Sequence, residues 1–309
     1  MSLVAHWVAY GALVIFFAAV AFRYWRIRHY PLNMRWEIYP IPHEGARSAH
    51  GGSKLEETDW WTRKHRPSRL TELRFMVLEM GFLKGLYDHN RKLWWRSFPF
   101  HFGLYLMAGF IGLLGVGAVL ELTGLPVERA GAGMGGLVAA LTIAVGATGM
   151  TMALLGAAGL FHLRLTDGDM KPYTNGSHYF NLLFIMTVLG VGLWAWMSVD
   201  PEFALCRQFA RDLLTARTSA PAGSALLDGT ILAAALLVAY IPLTHMSHFF
   251  VKWFTWHGLR WDDSANVRGG RIEVMIQQAL TRRVSWSADH IRGDGKKTWA
   301  QVATEEAPK

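Results

Sequence analysis

The sequence predicts an all-α membrane protein with five transmembrane helices, and three observations carry that prediction. Five blocks of about 20 or more residues are almost free of charge, each long enough to cross a hydrocarbon layer of roughly 30 Å. Lys and Arg are concentrated in alternate connections between those blocks. Hydrophobic residues make up 52% of the 309-residue chain, yet the mean hydropathy is only +0.18 because two long polar segments dilute it. A soluble globular protein is excluded. In lipid, an isolated segment satisfies its own backbone polar groups only as a helix.

The spans are expected at about 3–22, 98–121, 135–161, 179–199 and 229–252. The first resembles a signal peptide in length, but no Lys or Arg precedes it. Arg23, Arg26 and Arg28 follow it directly, the order of a retained span. Residues 23–97, 162–178 and 252–309 hold 15, 2 and 10 Lys and Arg, whereas 122–134 and 200–228 hold 1 and 3. The positive-inside rule then puts the N-terminus outside and the C-terminus in the cytoplasm. Anionic headgroups and an acidic partner account for the net charge of +8, with no call for a nucleic acid.

The cytoplasmic loop 23–97 has two parts. Residues 31–66 are rich in Pro, Gly and charge, which suits irregular structure. Over 68–95, Leu70, Leu73, Val77, Met80, Leu83 and Tyr87 recur at helical spacing. This reads as an amphipathic helix on the membrane surface or under a partner. Trp94, Trp95 and Arg96 then mark the membrane interface. The tail, 257–309, spaces Trp261, Ile276, Leu280, Trp286, Ile291 and Trp299 among polar residues, which suits docking along another protein. Between Trp286 and Trp299 it is expected to be weakly ordered alone. Cys206 is the only cysteine, which excludes a disulfide framework and a cysteine-ligated cluster carried by this chain alone.

Thirteen histidines are many. His29, His43, His50, His65, His89 and His290 read as surface residues and His6 as interfacial. His101, His162, His178, His245, His248 and His257 lie in or near the later spans, where an ionisable group is a functional candidate. His101 follows Arg96 by five residues and His248 precedes Lys252 by four. Both are therefore expected roughly 6–8 Å below the cytoplasmic charge layer. Two histidines on two helices at one depth suit an axial bis-histidine haem. Gly103 and Ser247 would leave room for the macrocycle, and Arg96 and Lys252 would meet its propionates. Interhelical hydrogen bonding is the competing reading. The glycines of the third span, Gly146, Gly149, Gly156 and Gly159, read as a close-packing face.

Two segments carry a family resemblance. Ser97-Phe98-Pro99-Phe100-His101-Phe102-Gly103 resembles the start of the second span in the respiratory nitrate reductase gamma subunit family of membrane cytochromes b. Ile241-Pro242-Leu243-Thr244-His245-Met246-Ser247-His248 resembles its fifth span. The long first loop and the tail motifs Ser285–His290 and Gly295–Trp299 look closer to the heterodisulfide-reductase-like and sulfate-reducer transmembrane complex members. The family's second pair of ligand positions is occupied here by Ile111 and Thr230, which do not ligate haem iron.

The resemblance implies a membrane cytochrome b domain over 1–256 and a partner-docking tail over 257–309, in a bacterial or archaeal cytoplasmic membrane. It implies one haem b held by His101 and His248, and a menaquinone or other quinone as substrate. The partner would be a cytoplasmic iron–sulfur subunit resembling the heterodisulfide reductase catalytic subunit, with further membrane and periplasmic redox subunits conceivable. His162, His178 and His245 are left open between a quinone site, a second haem and structural hydrogen bonding. A haem-free anchor or quinone-binding subunit is the alternative function, and a transporter is a more distant one, since no internal repeat is present.

Overall fold

The computed structural model describes residues 3–29, 41–44, 53–63, 67–217, 224–288 and 291–305. Among them five helices are long and apolar enough to span a membrane, so the chain is a multi-pass membrane protein. The chain divides into two compact units: 1–19 with 74–246, and 20–73 with 247–309.

Helix α1 covers Leu3–Arg28, and its residues up to Ala19 belong to the first unit. It buries Ala5, Ala9 and Ala12 and exposes Leu3, Val4, Trp7, Val14 and Phe17. Small residues inside and large apolar residues outside are what a lipid-facing helix requires. The predicted loop helix over 68–95 is broken into α2 (Arg69–Gly81) and α3 (Lys84–His89), because Leu83 adopts a left-handed conformation, φ 52°. Asn90 then caps α4 (Arg91–Leu122) by accepting from the Leu93 amide at 2.9 Å, so the second span starts earlier than expected.

Helix α5 (Gly133–Thr166) packs on α4 through its glycines. A methyl group on Gly156 would come within 2.3 Å of the Phe100 amide nitrogen, and one on Gly146 within 2.7 Å of the Phe110 ring. The close-packing face read in the sequence is therefore present. Helix α6 (Gly176–Ser198) starts in a capping box. Asn175 accepts from the His178 amide, while its own amide donates to His178 Nδ1 at 3.1 Å.

Between the fourth and fifth spans lies α7 (Ala204–Thr215), a helix not anticipated in loop 200–228. It buries Phe209 against the core of α1 and α8. Its Arg207 donates to Glu121 Oε1 and to the Val127 carbonyl, both at 2.6 Å, which ties the ends of two loops together. Helix α8 (Ala225–Tyr240) is capped by Ser224. The fifth span covers Ala225–Leu243 rather than 229–252. Pro242 lacks an amide donor, and the chain turns through Ile241–Leu243 and His245–Ser247 before α9 (His248–Thr255) begins.

The second unit joins the loop to the tail. Arg23 donates to Ser247 Oγ at 2.7 Å, and Tyr24 meets Phe254 edge-on at 5.2 Å. Glu44 is buried and accepts from the Ile41 amide and the Ser53 hydroxyl at 2.8 and 2.7 Å. Part of the segment expected to be irregular is thus organised around a buried carboxylate.

The tail is more ordered than its sequence suggests. It forms α10 (Arg271–Leu280), a two-residue antiparallel pair β1 (Ser287–Ala288) and β2 (Ile291–Arg292), and α11 (Trp299–Ala303). Val284 is 1% exposed, and its amide and carbonyl bond Lys297 and Gly295 at 2.9 Å. Gly293 passes so close to the Trp286 carbonyl that an added Cβ would sit at 2.0 Å. Main-chain pairing and one buried valine fold this segment where apolar area alone would not.

Candidate functional site

His101 lies in α4 one turn beyond Ser97 and just past Pro99. Its Nδ1 is 2.8 Å from the Ser97 carbonyl and 3.2 Å from the Ser97 hydroxyl. A carbonyl only accepts, so Nδ1 is the donor in this bond. That is the second-shell arrangement by which metal-ligating histidines are held. Phe100 packs edge-on to the ring at 5.2 Å.

Gly103 does not leave space for a macrocycle. Its missing side chain is where α5 approaches, and a Cβ there would lie 2.3 Å from the Ala153 amide nitrogen. Ser247 is likewise filled in: it is 1% exposed and accepts from Arg23. The two small residues serve packing and a hydrogen bond.

His248 opens α9 and is exposed; it belongs to the second unit, whereas His101 belongs to the first. Arg96 donates to the Lys92 carbonyl at 2.5 Å, and its stem lies over Gly159, with an added Cβ 3.1 Å from Cγ. Lys252 Nζ stands 5.3 Å from the centre of the Trp256 ring.

Two of the three remaining histidines come together. His178, at the start of α6, and His245, just past α8, have ring centres 4.9 Å apart and planes 61° apart. Asn181, 4% exposed, sits one turn below His178. Its side-chain amide is 3.4 Å from His245 Nε2, and its carbonyl oxygen accepts from Tyr240 at 2.8 Å. Phe180 and Phe184 flank the Tyr240 ring at 5.7 and 5.8 Å. His162 is exposed on α5, and among the described residues no hydrogen bond or ring contact joins its ring to this cluster. Asn181 and Tyr240 were not read as site residues. The available signal was a lone amide in an apolar span, one helical turn from a histidine.

No family model, curated protein or solved structure matches this chain. The residues themselves carry the functional argument.

Three other histidines depart from their sequence reading. His6 is fully buried, 4.7 Å from the Phe209 ring and 4.0 Å from the Asp212 carboxylate. His43 is buried and bonded to Asp263 at 3.1 Å. His257 uses Nδ1 on the Trp253 carbonyl at 2.9 Å and Nε2 on the Glu72 carboxylate. Both ring nitrogens are therefore engaged within the chain. His50, His65 and His290 fall outside the described residues.

Chemically, the cluster offers a donor and acceptor row at a span end: a phenol, an amide and two imidazoles beside aromatic rings. Such groups bind and exchange protons with a planar ring bearing two oxygens. His101 offers something different, an imidazole oriented by the Ser97 carbonyl of its own helix.

Proposed function

We propose that the chain is the membrane cytochrome b subunit of a respiratory redox complex. It moves electrons between the quinone pool and a cytoplasmic iron–sulfur subunit resembling the heterodisulfide reductase catalytic subunit. The observation that carries this reading is the bond from His101 Nδ1 to the Ser97 carbonyl. It holds the ring in the manner of metal-ligating histidines, whose other ring nitrogen is fixed by a carbonyl or carboxylate. His248 would supply the second imidazole, and Arg96 and Lys252 the cations for the propionates. Haem b bound by these residues supplies one-electron transfer. The positive-inside distribution supports a cytoplasmic position for these groups in a bacterial or archaeal membrane.

A second reading has its own support. The Tyr240–Asn181–His245 row beside His178 suits a quinone head group. In the main reading this is the quinone site of the cytochrome; in the alternative the chain is a haem-free quinone-binding anchor.

The visible spectrum of the purified, membrane-inserted chain separates them. One low-spin haem b is expected, lost in His101→Ala and in His248→Ala and kept in His290→Ala. A wild-type chain without a Soret band gives the function to the haem-free reading. Two haems per chain would assign one to the His178 and His245 pair.

A further inference from the structure

The apolar stripe of α2 faces away from the protein. Val77 is 49% exposed, and the stripe continues on the same helix face with Leu73 at 57% and Leu70 at 78%. The buried residues of α2 are Glu72 and Met76, on another face. Arg69 and Arg74, both exposed, flank the stripe on its two sides. An isolated exposed leucine needs no account, but a continuous stripe with basic flanks does.

The C-terminal end of α2 is fastened to α4 at two points. Trp94 Nε1 donates to the Phe82 carbonyl at 2.9 Å, and the Tyr105 hydroxyl donates to the Met80 carbonyl at 2.7 Å. Phe82 also stacks on Phe98, ring centres 6.4 Å apart and planes 11° apart. Tyr105 lies nine residues beyond Arg96, roughly 13 Å further along the span. Helical side chains lean toward the N-terminus, so its hydroxyl reaches back by part of that distance. Met80 is still held beside the apolar body of α4, past the Arg96 charge layer, and not in the aqueous layer beyond it.

We propose that α2 is sunk into the membrane leaflet at the Arg91 end of α4, with Leu70, Leu73 and Val77 against lipid acyl chains and Arg74 reaching the headgroups. The two tethers argue for lipid over a soluble subunit. They bring the helix end to a depth where a soluble partner would have to displace lipid to reach it. The placement does not depend on haem or quinone.

The test is site-directed spin labelling of the full-length protein in nanodiscs drawn directly from the membrane with any bound subunit. Cys206 is the only cysteine and is replaced by Ala. Single cysteines at Leu73 and Val77 carry the label, with Val14 on α1 as lipid reference and Arg129, exposed in the connection between α4 and α5, as water reference. Collision accessibility to oxygen several-fold above that to a nickel chelate, as at Val14, is the expected result at Leu73 and Val77. High accessibility to the nickel chelate, as at Arg129, would place the stripe in water and overturn the proposal. Protection from both reagents would place it under protein and overturn it equally.

Discussion

Glu72 of α2 and His257, 185 residues apart, form a hydrogen bond, with Arg69 on the other carboxylate oxygen at 3.0 Å. Around them, Trp253 stacks on His257 at 3.9 Å and Trp261 stacks on Trp256 at 5.4 Å. Burial pushes the Glu72 carboxyl up, but the hydrogen bonds from His257 and Arg69 outweigh it and hold the group below its ordinary value.

That direction fixes the sign of a pH effect. A carboxyl lowered in the folded state contributes stability above its unfolded pKa and loses it as pH falls through the folded value. Acidification below the ordinary glutamate range should therefore loosen the junction between α2 and the segment after α9. Hydrogen exchange of residues 253–261 should rise there while the spans stay protected. Glu72→Gln should produce the same loosening at neutral pH, costing about 1.5–3 kcal/mol for the lost charged hydrogen bonds. Unchanged exchange in this variant would show that the aromatic stack alone holds the junction.

The α4–α5 seam makes a second prediction. A Cβ on Gly103 or Gly156 meets backbone atoms of the facing helix at 2.3 Å, so no rotamer change relieves the clash. Gly156→Leu should force the helices apart and cost at least about 1–3 kcal/mol. Gly112 has nothing within 4 Å of its would-be Cβ, so Gly112→Leu should be close to neutral. Thermal unfolding in detergent ranks the three proteins; equal midpoints would refute close packing at this seam.

These cases show what the sequence made legible. The five apolar blocks and the glycine spacing of α5 are local patterns that report lipid exposure and helix contact directly. Pro242 was equally visible, yet its effect depends on whether neighbours satisfy the freed carbonyl, which no local pattern states. Helix α7 was hidden because Arg207, Arg211 and Asp212 look like loop charges until Glu121, 86 residues away from Arg207, is beside them. His43 with Asp263 and His257 with Glu72 are unreadable for the same reason: each pairing spans about 200 residues, and a charge pattern gives no partner across that distance. His101 stands out in the sequence by residue type and by its distance from Arg96, whereas the Ser97 carbonyl that orients it has no sequence signal.

The Tyr240–Asn181–His245 row makes a third prediction. If a quinone head group binds there, Tyr240→Phe removes a hydroxyl that now donates to Asn181 and leaves the ring packing of Phe180 and Phe184 in place. Loss of one hydrogen bond is worth about 0.5–1.5 kcal/mol, so quinone-analogue affinity should weaken roughly 2- to 10-fold. Asn181→Leu breaks both ends of the row and should weaken it further. His162→Ala, outside the cluster, should leave it unchanged. Turnover of a water-soluble quinol analogue by membranes carrying each variant gives KM and kcat separately; an effect of His162 larger than that of Tyr240 would move the site to the end of α5.

The last prediction concerns where the tail can be cut. Trp261 is 2% exposed, its ring lies against Trp256, and Asp263 two residues later holds His43. A chain ending at Trp261 would lose that carboxylate and disturb the junction with the first loop. A chain ending at Gly270 keeps both and removes only α10, the β1–β2 pair and α11. The removed stretch exposes Val274, Leu280 and Trp286 and carries Arg271, Arg282, Arg283 and Arg292. Exposed indole and guanidinium groups are frequent anchors of protein interfaces. Truncation after Gly270 should therefore leave membrane insertion and any bound cofactor intact and release the proposed cytoplasmic partner during purification. Truncation after Trp261 should in addition raise hydrogen exchange around His43. If the Gly270 chain still retains its partner at full yield, the docking contact lies in the first loop, and the folded tail serves another surface.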